Sequence, residues 1–233
     1  LLDVYEWVGE ETAGQTAKEL GLWAVRRLKR LDRNRLKKMW SLYIAGEYGG
    51  MNEVMARLYR LFGDRAFLET ARLFDNDKLF YPLEQHIDAL SGLHANQHIP
   101  QAIGALAMFE ATGESRYYEI ASFFRKTVEE HHTYAIGGTG EGEMFRRADH
   151  ITRALSENTA ESCASYNMLK LTGGLYQHEA DDHLMDAYER ILYNHILPAS
   201  ERTPYGRTTY FMPLKGPAKM TFEDENSCCH GTG

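Results

Sequence analysis

One internal repeat constrains this chain more than any other feature. An aromatic residue is followed four positions later by Gly or Ala, then by an acidic residue, then, eight after the Gly or Ala, by a small or aromatic residue. The pattern reads Tyr5, Gly9, Glu10, Ala17, then Tyr59, Gly63, Asp64, Ala71, then Phe109, Gly113, Glu114, Ala121. A weaker copy is Tyr176, Ala180, Asp181, Tyr188, so the copies lie 54, 50 and 67 residues apart. Self-similarity at such a period marks stacked supersecondary units. Each unit reads as a helix, a short turn and a second helix. Ile103, Leu106, Ala107 and Glu110 share a helical spacing before Gly113, which suits the left-handed residue just past a helix end. Glu114 and Ser115 then open a helix carrying Tyr118, Ile120, Ala121, Phe124 and Val128.

Helical hairpins at this period predict an all-α chain, an α/α toroid of the (α/α)6 type or a helical solenoid. Irregular spacing and the long connections 75–95 and 129–157 favour the toroid, with function in the loops. About four hairpins cannot close a ring of six, and the first has only eight residues before Gly9. The chain is therefore expected to be an internal piece of a longer protein, its residues 1–233 forming part of one domain. Thr203–Glu223 changes character. GRTTYFMPL and AKMTF are β-branched and aromatic between Gly and Pro, and predict a short β-hairpin.

Composition narrows the function. The net charge of −7 argues against a nucleic-acid partner. The longest apolar stretch, Ala102–Phe109, is too short to span a bilayer. Three cysteines, two of them adjacent, do not make a disulfide framework. They predict reduced thiols or a metal site, and reduced thiols lean towards the cytoplasm. The composition leaves the oligomeric state open.

Polar residues collect at the start of the first helix of successive units. Glu47 and Tyr48-Gly49-Gly50-Met51-Asn52-Glu53 precede or open one, His94-Ala95-Asn96-Gln97-His98 the next, and Glu161-Ser162-Cys163 a third. Repeat geometry puts these ends on one rim, although each residue alone also reads as an ordinary cap. Three thiols and a carboxylate (Cys163, Cys228, Cys229, Glu161) suit a tetrahedral zinc site, and three buried free thiols acting as small hydrophobes are the other reading. Gly231 and Gly233 would let the backbone turn both sulfurs of Cys228-Cys229 to one centre. Glu143 lies in a Gly-rich loop, GGTGEGE at 137–143, which lacks either phosphate-loop signature.

The segments HANQHIPQAIGA (94–105), GEMF (142–145), AESCASYNMLKLT (160–172), YERILYNHIL (188–197) and ENSCCHGTG (225–233) together resemble the β-L-arabinofuranosidases of glycoside hydrolase families 127 and 146. The likeness runs from LLDVYE to CCHGTG in the family's order. It implies a catalytic (α/α)6 toroid followed by β-sandwich modules, and a carbohydrate substrate, an arabinose-containing plant glycan. It implies that Glu161, Cys163, Cys228 and Cys229 hold zinc, that Cys228 is the nucleophile, and that Glu143 is the general acid/base. His94 matches a sugar-binding histidine. Met51, Asn52, Glu53 and Asn226 match substrate contacts, and Glu189 matches a further family glutamate. A sugar-contacting histidine of the family's upstream part has no counterpart in this chain. Two other classes are compatible with the residues alone. One is a structural zinc site in a carbohydrate-interacting scaffold. The other is a sugar isomerase or epimerase using His94 and His98, four apart on one helix face.

Overall fold

A computed structural model describes residues 1–40, 48–201, 206–222 and 227–231. The chain is mostly helical, and no helix among the described residues is long and apolar enough to cross a membrane. A π-turn at Val4–Val8 leads into α1 (Glu11–Leu28) and α2 (Arg33–Trp40). Three hairpins follow: α3 (Met51–Phe62) with α4 (Arg65–Ala71), then, past α5 (Asp77–Glu84), α6 (Ala95–Thr112) with α7 (Ser115–His131), and α8 (Ser162–Tyr176) with α9 (Asp182–Ile191). A second π-turn, Leu192–Ile196, extends α9 into α10 (Leu197–Ala199), and α11 (Cys228–Gly231) is a single turn.

The repeat glycines act as expected. Gly9, Gly63 and Gly113 are left-handed, with φ of 76°, 73° and 74°. Each amide bonds back to the repeat aromatic, Tyr5, Tyr59 or Phe109. The acidic residue after each glycine begins the next helix, and the Glu10 and Asp64 carboxylates cap it by accepting the amides of Thr12 and Ala66. The fourth copy has no glycine, and α8 instead ends at Tyr176 with Gln177 in right-handed geometry. The expected loop 75–95 contains α5, whereas 132–161 carries only a 3-10 turn at Ile151–Arg153.

Helices α3, α6 and α8 stand side by side and parallel. Gly49 meets Gln97 and Pro100, Asn52 meets Gln101 and Gly104, and Arg60 pairs with Glu110, so sequence rises together along α3 and α6. The Asn96–Asn167 hydrogen bond and the Leu106–Gly174 contact set α6 and α8 the same way. Their N-termini therefore share one end. α4, α7 and α9 back them, and Phe67, Leu83, Met108, Ile120, Phe124 and Leu171 fill the core between the rows. Removing these side chains from water drives the stacking.

The expected C-terminal hairpin does not form among the described residues. Residues 206–214 make only isolated bridges, with other partners: Thr208 with Ser200 and Phe211 with Glu161. Met212 donates its amide to Ala160, Leu214 donates to Ser156, and Thr159 donates its hydroxyl to Met212. Thr208, Thr209 and Met212 are buried, Met212 packing with Ala160 and Tyr134, which satisfies them better than a marginal two-stranded hairpin would.

Candidate active site

The common N-terminal end of α3, α6 and α8 opens into a cavity of about 470 Å³, lined by Gly49, Gly50, His94, Gln97, Glu143, Glu161, Tyr210 and Cys228 among others. That size suits a small ligand.

Four acidic side chains meet on one side. One ligand atom from each of Glu161, Cys163, Cys228 and Cys229 lies within 4.8 Å of all the others. The Cys229 Sγ is 3.0 Å from that of Cys163, 3.8 Å from that of Cys228 and 3.5 Å from Glu161 Oε1. Glu161 is the residue before α8, and Cys163 lies in that helix's first turn. The cysteine pair arrives from α11, whose Cys229 carbonyl accepts from Thr208 Oγ1 at 2.9 Å. Glu161 is 2% exposed, and its Oε2 has no hydrogen-bond partner. Burial, followed by the neighbouring Cys229, pushes its carboxyl up to about 9. The hydrogen bond that Cys229 donates to Cys163, with burial, holds the Cys229 thiol well above the ordinary thiol range, and burial and Cys229 raise Cys228. Four such groups cannot all be ionised side by side in a dry site without a cation. The soft sulfur donors and the orphaned carboxylate oxygen fit a metal ion, which the cluster can hold. The three sulfurs are not equivalent. Cys229 is buried, whereas Cys228 is exposed and faces the cavity.

Glu143 faces the cavity from the Gly-rich loop. Its backbone is left-handed, φ 66°, between Gly142 (φ 54°) and the bridge of Met144 to His94. Its carbonyl accepts the Ala95 amide at 2.8 Å, which ties the loop to the start of α6. Tyr210 donates its hydroxyl to Glu143 Oε1 at 2.7 Å, and His94 Nε2 lies 3.4 Å from Oε2. His94 Nδ1 accepts the Gln97 amide, so in the neutral ring Nε2 carries the hydrogen and points at Glu143. Burial and the bond to Glu143 push the Tyr210 hydroxyl far above its ordinary value, which keeps it a donor. Tyr210 comes from the segment read as a hairpin, where its strand-like neighbours give no signal of a site residue.

The other expected contacts are placed elsewhere. Asn52 is buried where α3 crosses α6, donating to the Gln101 carbonyl and packed over Gly104. Met51 packs on the core. Glu53 turns into a separate groove along α3, α6 and α8, paired with Lys170 and Arg57. Gly49 and Gly50 reach the cavity instead, because α3 begins only after them. Glu189 stands exposed on α9 and does not line the cavity. His98, offered as half of an acid–base pair, bonds through Nδ1 to the His94 carbonyl at 2.7 Å, and burial depresses its ring. Glu47 and Asn226 lie outside the described residues.

The family model described as β-L-arabinofuranosidase, GH127 catalytic domain, matches residues 1–233. Among solved structures, the chain is similar to a GH127 β-arabinofuranosidase at 21% identity, TM-score 0.64, over 77% of this chain and 30% of that one. It is also similar to a GH127 β-L-arabinofuranosidase from Geobacillus stearothermophilus T6, at 17% identity and TM-score 0.56, covering 70% of this chain and 30% of the other. A structure described as a glycoside hydrolase aligns at 14% identity and TM-score 0.58, over 79% and 35%. The chain thus spans about a third of the length of the solved structures it matches. A comparison with curated protein sequences gives no match.

Proposed function

The chain belongs to the GH127 β-L-arabinofuranosidase catalytic-domain family, and from that premise we propose that it is part of a retaining glycoside hydrolase that releases L-arabinofuranose from β-L-arabinofuranosides of plant glycans. In this reading the parallel row α3, α6, α8 with α4, α7, α9 behind it is an arc of an (α/α)6 toroid. The observation that carries the reading is that the one cavity-facing sulfur, on Cys228, shares its cavity with Glu143, while Cys229 lies behind it in the same cluster.

Glu161, Cys163, Cys228 and Cys229 would hold zinc. Zinc, when bound, displaces the thiol protons and fixes the sulfurs as thiolates. Cys228 attacks the anomeric carbon as the bond to the leaving oxygen breaks, and Glu143 gives that oxygen its proton. A thioglycoside on Cys228 results. Glu143, now a carboxylate, takes a proton from water, which attacks the same carbon and expels the sulfur. Two displacements retain configuration, as in the two-carboxylate enzymes, with sulfur in place of one carboxylate. Tyr210 and His94 hold the Glu143 carboxylate towards the cavity between the steps, and His94, Asn96 and Gln97 offer polar groups to sugar hydroxyls.

The test uses the full-length protein and two substrates, one with an activated leaving group and one with an alkyl alcohol. Cys228→Ser is expected to abolish turnover of both. Glu143→Gln is expected to slow the alkyl substrate by about 10²–10⁴ and the activated one far less. Full activity in Cys228→Ser with metal still bound would make the cysteine structural and defeat the reading.

A further inference from the structure

His195 is wholly buried on the π-turn Leu192–Ile196, and the reaction above leaves it unused. Extra-residue helical turns of this kind recur at functional sites. The ring Nδ1 lies 2.7 Å from Ser165 Oγ on α8, while Nε2 has no hydrogen-bond partner. Burial depresses the imidazole to about 4 against the opposing pull of the Ala160 backbone, so the ring is neutral. A half-satisfied neutral imidazole is a poor core filler, since an apolar side chain of similar size would fill the same space without an orphaned nitrogen.

The placement of the ring accounts for it. It touches three segments that carry the site. Gly138, five residues before Glu143, approaches so closely that a Cβ there would stand 2.7 Å from His195 Nδ1 and 2.7 Å from the Ala160 Cβ. Ala160, held in the left-handed region at φ 53°, immediately precedes Glu161. Ser165 lies two residues after Cys163, and its amide donates to the Glu161 carbonyl at 3.2 Å. Loop and helix start are otherwise joined here through the Ala160 amide to the Gly140 carbonyl, 2.9 Å, and the Gly142 amide to Asn158, 2.8 Å. We propose that His195 is a positioning residue: wedged between Gly138, Ala160 and Ser165, it fixes the register of the Gly-rich loop against the start of α8, and so the position of Glu143 relative to Cys228. The inference rests on the function proposed above, because only there do these two residues have to face the same carbon.

The experiment compares His195→Leu, which keeps bulk and removes both nitrogens, with His195→Asn, whose side-chain amide places a polar atom where Nδ1 stood. Both are made in the full-length protein and checked for wild-type metal content. Amide hydrogen exchange over 137–145 and 158–163 is read with kcat and KM on the activated and alkyl substrates. In His195→Leu the Gly142 and Ala160 amides are expected to exchange at least about tenfold faster. The same variant is expected to lose about 30-fold in kcat on the alkyl substrate, under about threefold on the activated one, with KM nearly unchanged. His195→Asn is expected to stay within about threefold of wild type on every measure. Unchanged exchange in His195→Leu, or an equal loss on both substrates, overturns the proposal. If His195→Leu does not fold, Ser165→Ala, which deletes one oxygen, is judged by the same criteria. A wild type that hydrolyses neither substrate defeats the functional reading instead, and the exchange rates then decide the role of His195 alone.

Discussion

Asp75 is a half-buried carboxyl outside the cavity whose protonation sets a pH dependence. Tyr117 donates to its Oδ2 at 2.7 Å, but Oδ1 is buried without a partner, as is the nearby Tyr48 hydroxyl. Burial lifts Asp75 from 3.8 to about 6, against the pull of the Tyr117 bond and of Arg116 and Arg72. The folded protein thus holds this proton more tightly than the unfolded chain does. Its contribution to stability is therefore full below about pH 4 and is lost as pH rises to about 6, a change of order 1–3 kcal/mol. Asp75→Asn is expected to remove this slope. Urea midpoints of both forms across pH 4–7 test it, and a difference between them that stays constant with pH would count against it. Residues of this kind were illegible in the sequence, because an acid after a helix reads as a cap until its surroundings are known. Cys228, Cys229, Cys163 and Glu161 were legible because thiols are rare and two stand adjacent. Tyr210 was not, since its partner Glu143 lies in a distant loop and its own segment carried only a strand-like composition.

Between elements, glycine decides where helices touch. Gly104 on α6 leaves space that Asn52 of α3 fills, and a Cβ at 104 would fall 2.0 Å from Asn52 Oδ1. Alanine at an exposed helix position gains about 1 kcal/mol over glycine, but forcing a methyl into a packed crossing costs about 1–3 kcal/mol and here also breaks the bond from Asn52 to Gln101. Gly104→Ala is therefore expected to destabilise the protein by about 1–3 kcal/mol, and the double variant with Asn52→Ala to recover part of the loss. Denaturant unfolding of the four forms measures the coupling; strictly additive effects would show that the two residues do not meet. The helix pairs were readable from the repeat because a left-handed glycine after an aromatic is a local signal. Asn52 and Glu53, read from the resemblance as substrate contacts, face the neighbours of α3 from its first turn, whereas Gly49 and Gly50 line the cavity. Among the described residues the expected hairpin is not seen for a related reason, since pattern alone does not say which partner a β-prone segment chooses.

Over the whole molecule, the cluster of Glu161, Cys163, Cys228 and Cys229 links α8 to the α11 segment. A ligand that binds only the folded state stabilises it by mass action. Stripping metal with a chelator is expected to lower Tm by several degrees, and zinc to restore it. A Tm indifferent to both would leave the cluster as plain thiols. The helix pairs α3/α4, α6/α7 and α8/α9 each join neighbours in sequence, so they form through short closures. Cys228 and Cys229 stand some 65 residues beyond Cys163 and are drawn in by Thr208 and the bridge at Phe211. Closing so long a loop is favourable only once its landing place exists. The Cys228 sulfur is thus expected to arrive last during folding, on a scaffold already assembled, which would keep it apart from Glu143 until the cavity between them has taken shape.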